Sequence, residues 1–572
     1  MTPLLRDEGG LLRGQGFGFG PYAGRYPPAE RTMLRVLAER GEQQPDRDWL
    51  VFDSSDRLTF GEAWRATCRV GHALDREFDP GAHVGLLLRN QVEFMPAFYG
   101  AQVRGGVTVP LNADSRGPLL QAVIEHSDVA AIIARADLLD RLAALPSLGG
   151  VRLVVAVGEE PVAGAVAGVP VVRWDDWLSG SLEHHAWPFP DHDRPCLLQY
   201  TSGTTARPKG AVYTHHFLYL YAALCTDSQE RTKDDVLTAP LPLFHVAALH
   251  IIANSSLHAG CTGHLKSRFS ASRYWQQCAD DGATWAILLG PMAAMVAKMT
   301  PESPPEHRVT RLFCPPPPPD LPEFERRFAP VKVIWWGYGM TEVYPLPMID
   351  PALQRRDLPY DTIGMPVSWM DYGVVDEHDH LVGPGEVGEL VFRPRIPHAM
   401  VSEYYCEPDK TVEAFRNLMF HTGDVGLYDE DGLLHYRSRK QERIRRRGEN
   451  ISAPELEWVA LTHEHVVEAA AYGVPSELGE EEVKLDLVLQ QAVAVTELHG
   501  WLRENLPRYM VPRYVEIRDA FPKTPSERVE KYRLKQQPLS RPEVFDAEQI
   551  AAGDTGRVFD IRPRDGYNQS DA

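Results

Sequence analysis

The chain has 572 residues, which is too long for one compact core, so two or more domains are expected. A formal net charge of -20 argues against nucleic acid or an anionic membrane surface as partner. The seven cysteines are scattered, odd in number and without a C-x-x-C pair, which is typical of reduced thiols and not of a disulfide framework or a zinc site.

Residues 1–30 are rich in glycine, arginine and aromatic side chains, with the alternating run Gly14-Gln-Gly-Phe-Gly-Phe-Gly20. A dinucleotide fingerprint needs a strand before its glycines and a helix after them, and neither is predicted here. We therefore expect a loosely ordered arm. The sequence shows no basic-then-apolar leader and no apolar run of about 20 residues, so we expect a cytoplasmic protein without membrane insertion.

From Arg31 onward, helical segments alternate with short apolar runs that predict strands. These strands are predicted at 84–88, 107–111, 130–134, 151–157 and 197–200. Strands separated by helices indicate βαβ units and a largely parallel sheet. β-rich signals follow at 387–392, 425–428 and 433–436, with Asp429-Glu-Asp-Gly432 as a hairpin turn. The predicted class is α/β, in which residues 31–438 form a large N-terminal domain of parallel sheets and helices with a β-rich subdomain.

A loop rich in hydroxyl groups and glycine follows the apolar run at 197–200. It reads Thr201-Ser-Gly-Thr-Thr-Ala-Arg-Pro-Lys-Gly210 and carries two cations, Arg207 and Lys209. Glycine lets backbone N–H groups approach an anion closely, and successive amides form a concave anion site. We expect this loop to hold polyphosphate, although its spacing is not the G-x-x-x-x-G-K-[ST] of a P-loop. A surface loop of small polar residues is the alternative.

Two later segments add groups suited to a nucleotide. Trp335-Trp-Gly-Tyr-Gly-Met-Thr-Glu342 offers an aromatic face, a hydroxyl group and a carboxylate, and His421-Thr-Gly-Asp424 with Arg439 and Gly448-Glu-Asn-Ile-Ser452 offers an acid and a base. Together with the loop at 200–210, these motifs resemble the adenylate-forming superfamily of acyl-CoA and aryl-CoA synthetases, non-ribosomal peptide adenylation domains and luciferases. The resemblance runs from about Arg31 to Lys535 and is nearest to the carnitine-CoA-ligase-like branch.

The resemblance implies a role for each matching residue. The β- and γ-phosphates of ATP would be held by Thr201, Ser202, Gly203, Thr204, Thr205 and Lys209. Tyr338 would stack on adenine, with Gly339 in the same ATP-binding segment. Thr341 would contact the α-phosphate, and Glu342 would bind Mg²⁺.

Further roles follow from the same resemblance. Asp424 would accept both ribose hydroxyls, and Arg439 would reinforce that contact. His245, in Pro240-Leu-Pro-Leu-Phe-His-Val246, matches a catalytic histidine that controls access of the thiol, although a core histidine is the alternative. The strongly basic stretch from Arg437 matches the hinge into a small mobile C-terminal α/β lid domain at 441–540, followed by a polar tail at 541–572.

Three features depart from the family's pattern. Ala206 replaces a glycine in the loop at 200–210, a mild change because alanine tolerates most backbone conformations with negative φ. The family's catalytic lysine lies in Pro-Lys-Thr-x-Ser-Gly-Lys, whereas this chain reads Pro522-Lys-Thr-Pro-Ser-Glu-Arg528, so Arg528 takes its place and Lys523 or Lys531 are alternatives. Arginine keeps the charge but changes reach and geometry. Cys314-Pro-Pro-Pro-Pro-Pro-Asp320 replaces a glycine-rich turn beside the substrate and adenine pocket. Five prolines remove five N–H donors, so we expect a remodelled acyl wall.

Three functions are open at this point. The leading hypothesis is an ATP- and Mg²⁺-dependent ligase that converts a small acid, aromatic or another organic acid, into its AMP anhydride with release of pyrophosphate and passes it to coenzyme A. The alternative within the superfamily is a diazotase of secondary metabolism, which activates nitrite and delivers it to an aryl amine without CoA. A degenerate nucleotide-binding protein is the third, although the intact set of Glu342, Asp424 and Arg439 argues against it.

Overall fold

The computed structural model describes residues 5–548, with gaps at 8, 17, 54, 185–186, 202–207, 289, 302, 316, 319, 345–358, 360, 440–442, 448, 477–479, 490, 523–528, 530 and 542. The described residues form two compact units. The first comprises residues within 1–113, 123–201 and 209–440, and the second is built mainly from residues after 441. None of the helices in the described ranges has the length and apolar character needed to cross a bilayer.

An eight-stranded sheet forms one layer of the first unit, in the order β11-β10-β5-β4-β6-β7-β9-β8. Its strands are β4 (His83–Leu87), β5 (Val107–Pro110), β6 (Val129–Arg135), β7 (Leu153–Val157), β8 (Ala165–Val166), β9 (Val169–Arg173), β10 (Pro195–Thr201) and β11 (Lys209–Thr214). The six inner strands are parallel to their neighbours, and β8 and β11 are antiparallel edges. The predicted parallel sheet is confirmed, because its buried strands carry nearly continuous apolar runs.

A seven-stranded sheet lies in the same unit, in the order β16-β15-β14-β12-β13-β2-β3. Its strands are β2 (Asp48–Phe52), β3 (Asp56–Thr59), β12 (Val236–Ala239), β13 (Thr262–Leu265), β14 (Trp285–Ile287), β15 (Arg311–Phe313) and β16 (Lys332–Ile334). All pairs are parallel except β2 with β3. The segments that follow β15 and β16, which include the proline run and the motif at 335–342, therefore leave from the same edge of this sheet.

The third sheet is antiparallel and corresponds to the predicted β-rich subdomain. Its order is β1-β18-β19-β20-β21-β17, with β1 (Leu12–Arg13), β17 (Thr362–Gly364), β18 (Met370–Val375), β19 (Gly388–Pro394), β20 (Phe420–Tyr428) and β21 (Leu434–Arg439). The predicted hairpin turn lies between β20 and β21: the Gly432 N–H donates to the Asp429 carbonyl at 2.9 Å, and Gly432 has a φ of +79°. Glycine suits that left-handed backbone.

Helices cover the sheets of the first unit. They are α1 (Met33–Gln43), α2 (Phe60–Glu77), α3 (Phe94–Gly100), α5 (Leu139–Ala143), α6 (Trp174–Leu178), α7 (His215–Asp227), α8 (Ser255–Ala259), α9 (Tyr274–Asp280), α10 (Gly290–Met299), α11 (Leu321–Arg327) and α12 (Pro408–Ala414), with a π-helix at Ala247–Asn254. The helix α4 (Gly117–His126) begins within residues 114–122, which belong to the second unit. Thr59 and Glu62 form a capping box at the start of α2, and Thr214 caps α7 through the Phe217 N–H. These caps satisfy backbone donors that the first turn leaves unpaired.

The second unit is a small α/β structure. It contains a hairpin, β22 (Arg443–Arg446) with β23 (Glu449–Ser452), and a sheet of β24 (Val466–Pro475), β25 (Glu481–Leu489), β26 (Tyr514–Arg518) and β27 (Val544–Asp546) with helices α13 (Ala453–Leu461), α14 (Val495–Asn505) and α15 (Lys531–Lys535). β27 lies beyond the expected domain end at 540. It belongs to the sheet because Val515 pairs with Phe545, whose side chain is buried in the core of this unit, so the segment 541–548 is not the start of a polar tail.

The N-terminal arm also differs from the expectation of loose order. Leu11 and Leu12 are buried, and β1 pairs with β18 at the edge of the antiparallel sheet. Tyr26 and Ala23 are buried in the main core of the first unit. The alternating glycines are typical of flexible chains, but here they permit close backbone packing, which a reading of composition alone does not reveal.

Candidate active site

The motif at 335–342 leaves β16 through a tight turn. The Gly337 N–H donates to the Ile363 carbonyl at 3.2 Å, and the Met340 N–H donates to the Val343 carbonyl at 2.9 Å. Gly337 has a φ of +142°, which only glycine adopts without strain. A Cβ at Gly339 would collide with the ring of Tyr344. Both glycines are therefore needed for the turn that presents the three functional side chains of this motif.

Tyr338 and Asp424 are brought together by the fold. The Tyr338 hydroxyl donates to Asp424 Oδ2 at 2.6 Å, although the two residues are 86 positions apart. Asp424 lies on β20 and is 1% exposed, while the Tyr338 ring is half-buried. Arg439 is the direct partner of Asp424 in the register between β20 and β21. The aromatic, acidic and basic positions predicted for the nucleoside thus lie in one place.

Lys209, Glu342 and Tyr404 form a second cluster. The Tyr404 hydroxyl donates to Glu342 Oε1 at 2.7 Å, and Lys209 Nζ lies 4.7 Å from the centroid of the Tyr404 ring. Burial lowers the pKa of Lys209, and the charge of Glu342 opposes that shift. Burial and then Glu342 raise the pKa of Tyr404, so Tyr404 stays a neutral donor. The buried carboxylate of Glu342 and the amine of Lys209 therefore both contact Tyr404, the first at its hydroxyl and the second over its ring.

The backbone places the ends of the phosphate loop next to each other. Thr201 at the end of β10 pairs directly with Lys209 at the start of β11. Ser202, Gly203, Thr204 and Thr205 lie outside the described residues. The strands on either side of these residues are antiparallel, and this differs from a P-loop, in which a helix follows the strand.

A buried aromatic group links Thr341 to the π-helix that follows His245. The Tyr213 hydroxyl donates to the Thr341 carbonyl, and the Tyr213 ring stacks on His250 at 5.5 Å. His250 belongs to the π-helix that begins two residues after His245, and burial lowers the pKa of His250 to about 3. His245 itself is exposed, so it is not a core histidine, and its Nδ1 accepts from the Ala247 N–H at 3.3 Å. π-helical turns often lie at functional sites.

Two amide side chains hold the segment that carries His245. Asn90 Oδ1 accepts from the Leu243 N–H at 2.8 Å, and Asn90 Nδ2 donates to the Leu241 carbonyl at 2.9 Å. Gln199, on the strand that leads into the phosphate loop, donates to the Phe244 carbonyl at 2.9 Å. The loop before the π-helix is therefore fixed from β10 and from the chain that follows β4.

Several predicted positions belong to the second unit or lie beyond the described residues. Lys523 and Arg528 are not described, nor are Pro316 and Pro319 of the proline run. Lys531 Nζ lies 2.7 Å from Glu457 Oε1, within the second unit. The Cys314 N–H donates to the Ile334 carbonyl at 2.8 Å, which ties the start of the proline run to the strand before the 335–342 motif.

Sequence reasoning missed Tyr404, Tyr213 and Tyr221. Tyr404 reaches Glu342 because residues 402–405 lie against β11: the Ser402 N–H donates to the Val212 carbonyl at 3.1 Å and the Tyr405 N–H to the Gly210 carbonyl at 2.8 Å. This pairing joins segments about two hundred residues apart, and no short motif marks it. Tyr221 on α7 stacks on Tyr344, with 4.3 Å between ring centroids.

Comparison with known proteins places this site in a family. Residues 37–405 match the family described as AMP-binding enzyme, and residues 455–528 match the AMP-binding enzyme C-terminal domain. The chain is 29% identical over 515 residues to sulfoacetate–CoA ligase of Cupriavidus necator, which covers 89% of this chain and 98% of the relative. It is 28% identical to crotonobetaine/carnitine–CoA ligase of Citrobacter koseri, covering 88% of this chain and 99% of the relative. Oxalate–CoA ligase of Arabidopsis thaliana is also 28% identical, and the match covers 89% of this chain and 99% of the relative.

Solved structures support the fold. The o-succinylbenzoate CoA synthetase of Bacillus subtilis, as a double mutant bound to a product analogue, has a TM-score of 0.73 at 24% identity and covers 88% of this chain and 98% of that chain. The amide bond synthetase McbA from Marinactinospora thermotolerans has a TM-score of 0.73 at 23% identity, and the match covers 88% of this chain and 99% of that chain. Residues 37–405 make up more than half of this chain, so the chain belongs to the AMP-binding enzyme family of adenylate-forming ligases.

Proposed function

We propose that this protein is an ATP-dependent ligase that joins a small organic acid to coenzyme A through an acyl-AMP intermediate. One observation carries the proposal: the two clusters, Tyr338 with Asp424 and Lys209 with Glu342, lie on segments that flank the same turn at 337–342. The first suits a nucleoside and the second suits phosphate. The family match and its CoA-ligase relatives support the same reaction.

In the first half-reaction, a carboxylate oxygen of the acid attacks the α-phosphorus of ATP. The bond from that phosphorus to the bridging oxygen breaks, and pyrophosphate leaves with both electrons of the bond. Both reactants are anions, so the enzyme contributes mainly positioning and charge neutralisation. We assign Lys209 to the leaving phosphates and Thr341 to the α-phosphate.

A Mg²⁺ ion fits this site only together with the nucleotide. Mg²⁺ is usually held by one or two carboxylates with substrate phosphates and water. Glu342 offers a buried carboxylate beside Lys209, and no group of three or more His, Cys, Asp or Glu suited to a metal occurs in the described ranges. Glu342 would hold the ion against the phosphates, and the ion would supply neutralisation of their charge.

In the second half-reaction, the thiolate of CoA attacks the acyl carbon, and the bond to the AMP oxygen breaks. The products are a thioester and AMP. We assign His245 to the thiol side of the site, because it is exposed at the start of the buried π-helix. We also propose that the second unit acts as the lid, with Arg528 in the family's lysine position.

The acid substrate that we propose is a small molecule. The relatives named above act, by their names, on sulfoacetate, crotonobetaine or carnitine, and oxalate. Tyr344 follows Glu342 by two residues, and its buried ring stacks on the buried ring of Tyr221. Trp336, which precedes the turn at 337–342, is 6% exposed. These bulky rings favour a compact substrate, and an aromatic acid is the class that they would contact best.

The test is pyrophosphate release from ATP and Mg²⁺ with a panel of small aliphatic and aromatic acids, with and without CoA. Turnover that yields a CoA thioester supports the proposal. A parallel reaction contains nitrite and an aryl amine. Turnover only in that reaction, unchanged by CoA, would overturn the ligase in favour of the diazotase. ATP binding without turnover in every reaction would instead indicate a protein that binds the nucleotide only.

A further inference from the structure

The N-terminal arm crosses the first unit along an ordered path, and we call residues 11–26 the strap; residue 17 within it is not described. Its first half runs beside the segment 365–372. Leu12 pairs with Tyr372, the Gly14 N–H donates to the Met370 carbonyl at 2.8 Å, and the Gly16 N–H donates to the Pro366 carbonyl at 2.9 Å. Three successive backbone contacts fix this half.

Phe19 continues the path after the glycines. Its ring stacks on Trp369 with 4.1 Å between centroids and an interplanar angle of 23°. The Phe19 side chain is 44% exposed, so it covers Trp369 from the solvent side and is not part of the deep core.

The second half of the strap holds the carboxyl end of α7. The N–H groups of Tyr22 and Ala23 donate to the two carboxylate oxygens of Asp227, at 2.9 and 2.8 Å. The Tyr219 hydroxyl donates to the Tyr22 carbonyl, and the rings of Tyr219 and Tyr26 meet edge to face at 5.9 Å. Asp227 is 4% exposed, so this is a buried, doubly hydrogen-bonded anchor.

The segment 365–372 and α7, which the strap anchors, are connected to opposite ends of the turn at 337–344. The segment held by the first half follows β17 directly, and the carbonyl of Ile363 in β17 accepts from the Gly337 N–H at 3.2 Å, one residue before Tyr338. The helix held by the second half contributes Tyr221, which stacks on Tyr344 with an interplanar angle of 6°. The strap therefore connects the supports on both sides of Tyr338 and Glu342.

The glycine pattern matches these contacts. A Cβ at Gly16 would lie 2.5 Å from the Met365 carbonyl oxygen, and a Cβ at Gly20 would lie 2.6 Å from Asp227 Oδ1. At Gly18 the nearest atom would be Ser368 Oγ at 3.7 Å, an ordinary contact. Glycine is thus required at 16 and 20, where the strap touches its anchors, and not at 18.

We propose that the strap positions Tyr338 and Glu342 for the nucleotide by holding the segment 365–372 and α7 in fixed relation. The strap residues are positioning residues, since the contacts that carry the proposal are made to the segment 365–372 and to α7. The expected effect on the KM for ATP rests on the proposed function. The expected effect on hydrogen exchange in 335–344 rests on the packing alone.

The experiment compares Gly16→Ala and Gly20→Ala with Gly18→Ala as the matched control, in the full chain. The KM for ATP in pyrophosphate release should rise by about tenfold in the first two variants, because small displacements of positioning groups weaken binding strongly. We expect kcat at saturating ATP to stay within about twofold, and Gly18→Ala to match the parent. A fall in kcat with unchanged KM would show only a loss of folded protein and would overturn the proposal.

Phe19→Ala and hydrogen exchange keep the test decisive if an alanine variant folds poorly. Phe19→Ala removes a half-exposed ring and should raise the KM for ATP by about threefold without loss of folding. Exchange of the amides in 335–344 should increase in Gly16→Ala and Gly20→Ala and not in Gly18→Ala. If the parent releases no pyrophosphate but this exchange pattern holds, the proposed function fails and the strap stands. If exchange in 335–344 is the same in all variants, the strap fails whatever the activity.

Discussion

Among single residues, Tyr404 offers a sharp test because its ring and its hydroxyl have separate contacts. Tyr404→Phe removes the donor to Glu342 Oε1 and keeps the ring near Lys209. A hydrogen bond to a charged group contributes about 1.5–3 kcal/mol, and tenfold in rate corresponds to about 1.4 kcal/mol. We therefore expect kcat/KM for pyrophosphate release to fall about tenfold or more.

Tyr405→Phe is the matched control for that change. The Tyr405 hydroxyl donates to Asp128 Oδ2 at 2.8 Å on the exposed side of the same segment. Its loss should leave kcat/KM within about twofold, as for other surface substitutions. Equal losses in the two variants would mean that the hydroxyl of Tyr404 has no particular role at Glu342.

The pair of Tyr338 and Asp424 separates stacking from hydrogen bonding. Tyr338→Phe keeps the ring, so the KM for ATP should change less than about threefold. Tyr338→Ala removes the stacking surface, which contributes about 1–3 kcal/mol per base, and should raise the KM about tenfold or more. Asp424→Asn should raise it by a similar factor, because the carboxylate is the proposed ribose acceptor. A larger effect of Tyr338→Phe than of Tyr338→Ala would contradict this assignment.

At the scale of elements, the loop that carries His245 depends on Asn90. Asn90→Ala leaves the Leu243 N–H and the Leu241 carbonyl without their side-chain partner, and each lost hydrogen bond costs about 1 kcal/mol. The melting temperature should fall by several degrees, and thioester formation should slow more than pyrophosphate release. Asn90→Asp places a carboxylate oxygen against the Leu241 and Lys266 carbonyls, so it should lose at least as much stability as Asn90→Ala. Equal slowing of both half-reactions would show that the loop has no special link to the thiol step.

The elements also show which parts of the fold the sequence can predict. The strands at β4, β5, β6, β7 and β10 were within two residues of their predicted bounds, because fully buried parallel strands are uninterrupted apolar runs. β20 begins at Phe420, five residues before its predicted start at Val425, since the polar residues of the 421–424 motif interrupt its apolar pattern. The strap was missed because glycines that permit close packing have the same composition as glycines in a flexible arm.

The candidate site could be predicted only in part, for a related reason. Tyr338, Glu342 and Asp424 lie in short motifs with recognisable spacing. Tyr404 and Asn90 act through contacts with residues 62 and 153 positions away, and such contacts depend on sheet register and loop path. No local pattern in a single sequence encodes them.

At the scale of the whole molecule, the buried histidines of the first unit and the buried Glu455 of the second should respond to acid in opposite ways. Burial lowers the pKa of His215, His216, His250 and His258 to about 3 from 6.5. Their contribution to stability is present above pH 6.5 and is lost as the pH falls, by up to about 1.4 kcal/mol per pH unit for each histidine. In the second unit, burial raises the pKa of Glu455 to about 7 from 4.5, so its contribution is present below pH 4.5 and is lost as the pH rises through 7.

Hydrogen exchange at pH 7.5 and pH 5, corrected for intrinsic rates, checks this contrast. At pH 5 the amides of α7 and of the π-helix should exchange faster, and those of α13 should exchange more slowly. Glu455→Gln should abolish the change in α13 and leave the change in α7 intact. Faster exchange of both α7 and α13 at pH 5 in the parent would contradict the opposed pKa shifts.

A phenolic hydroxyl already occupies Asp424 before any sugar arrives. In the proposed role of Asp424, a ribonucleotide replaces that single donor with two, so the exchange gains one hydrogen bond. A deoxyribonucleotide replaces one donor with one, and the exchange gains none. In that role the tyrosine competes with the sugar for the carboxylate, so a cis-diol is favoured over a single hydroxyl by one hydrogen bond without any group that collides with the deoxy sugar.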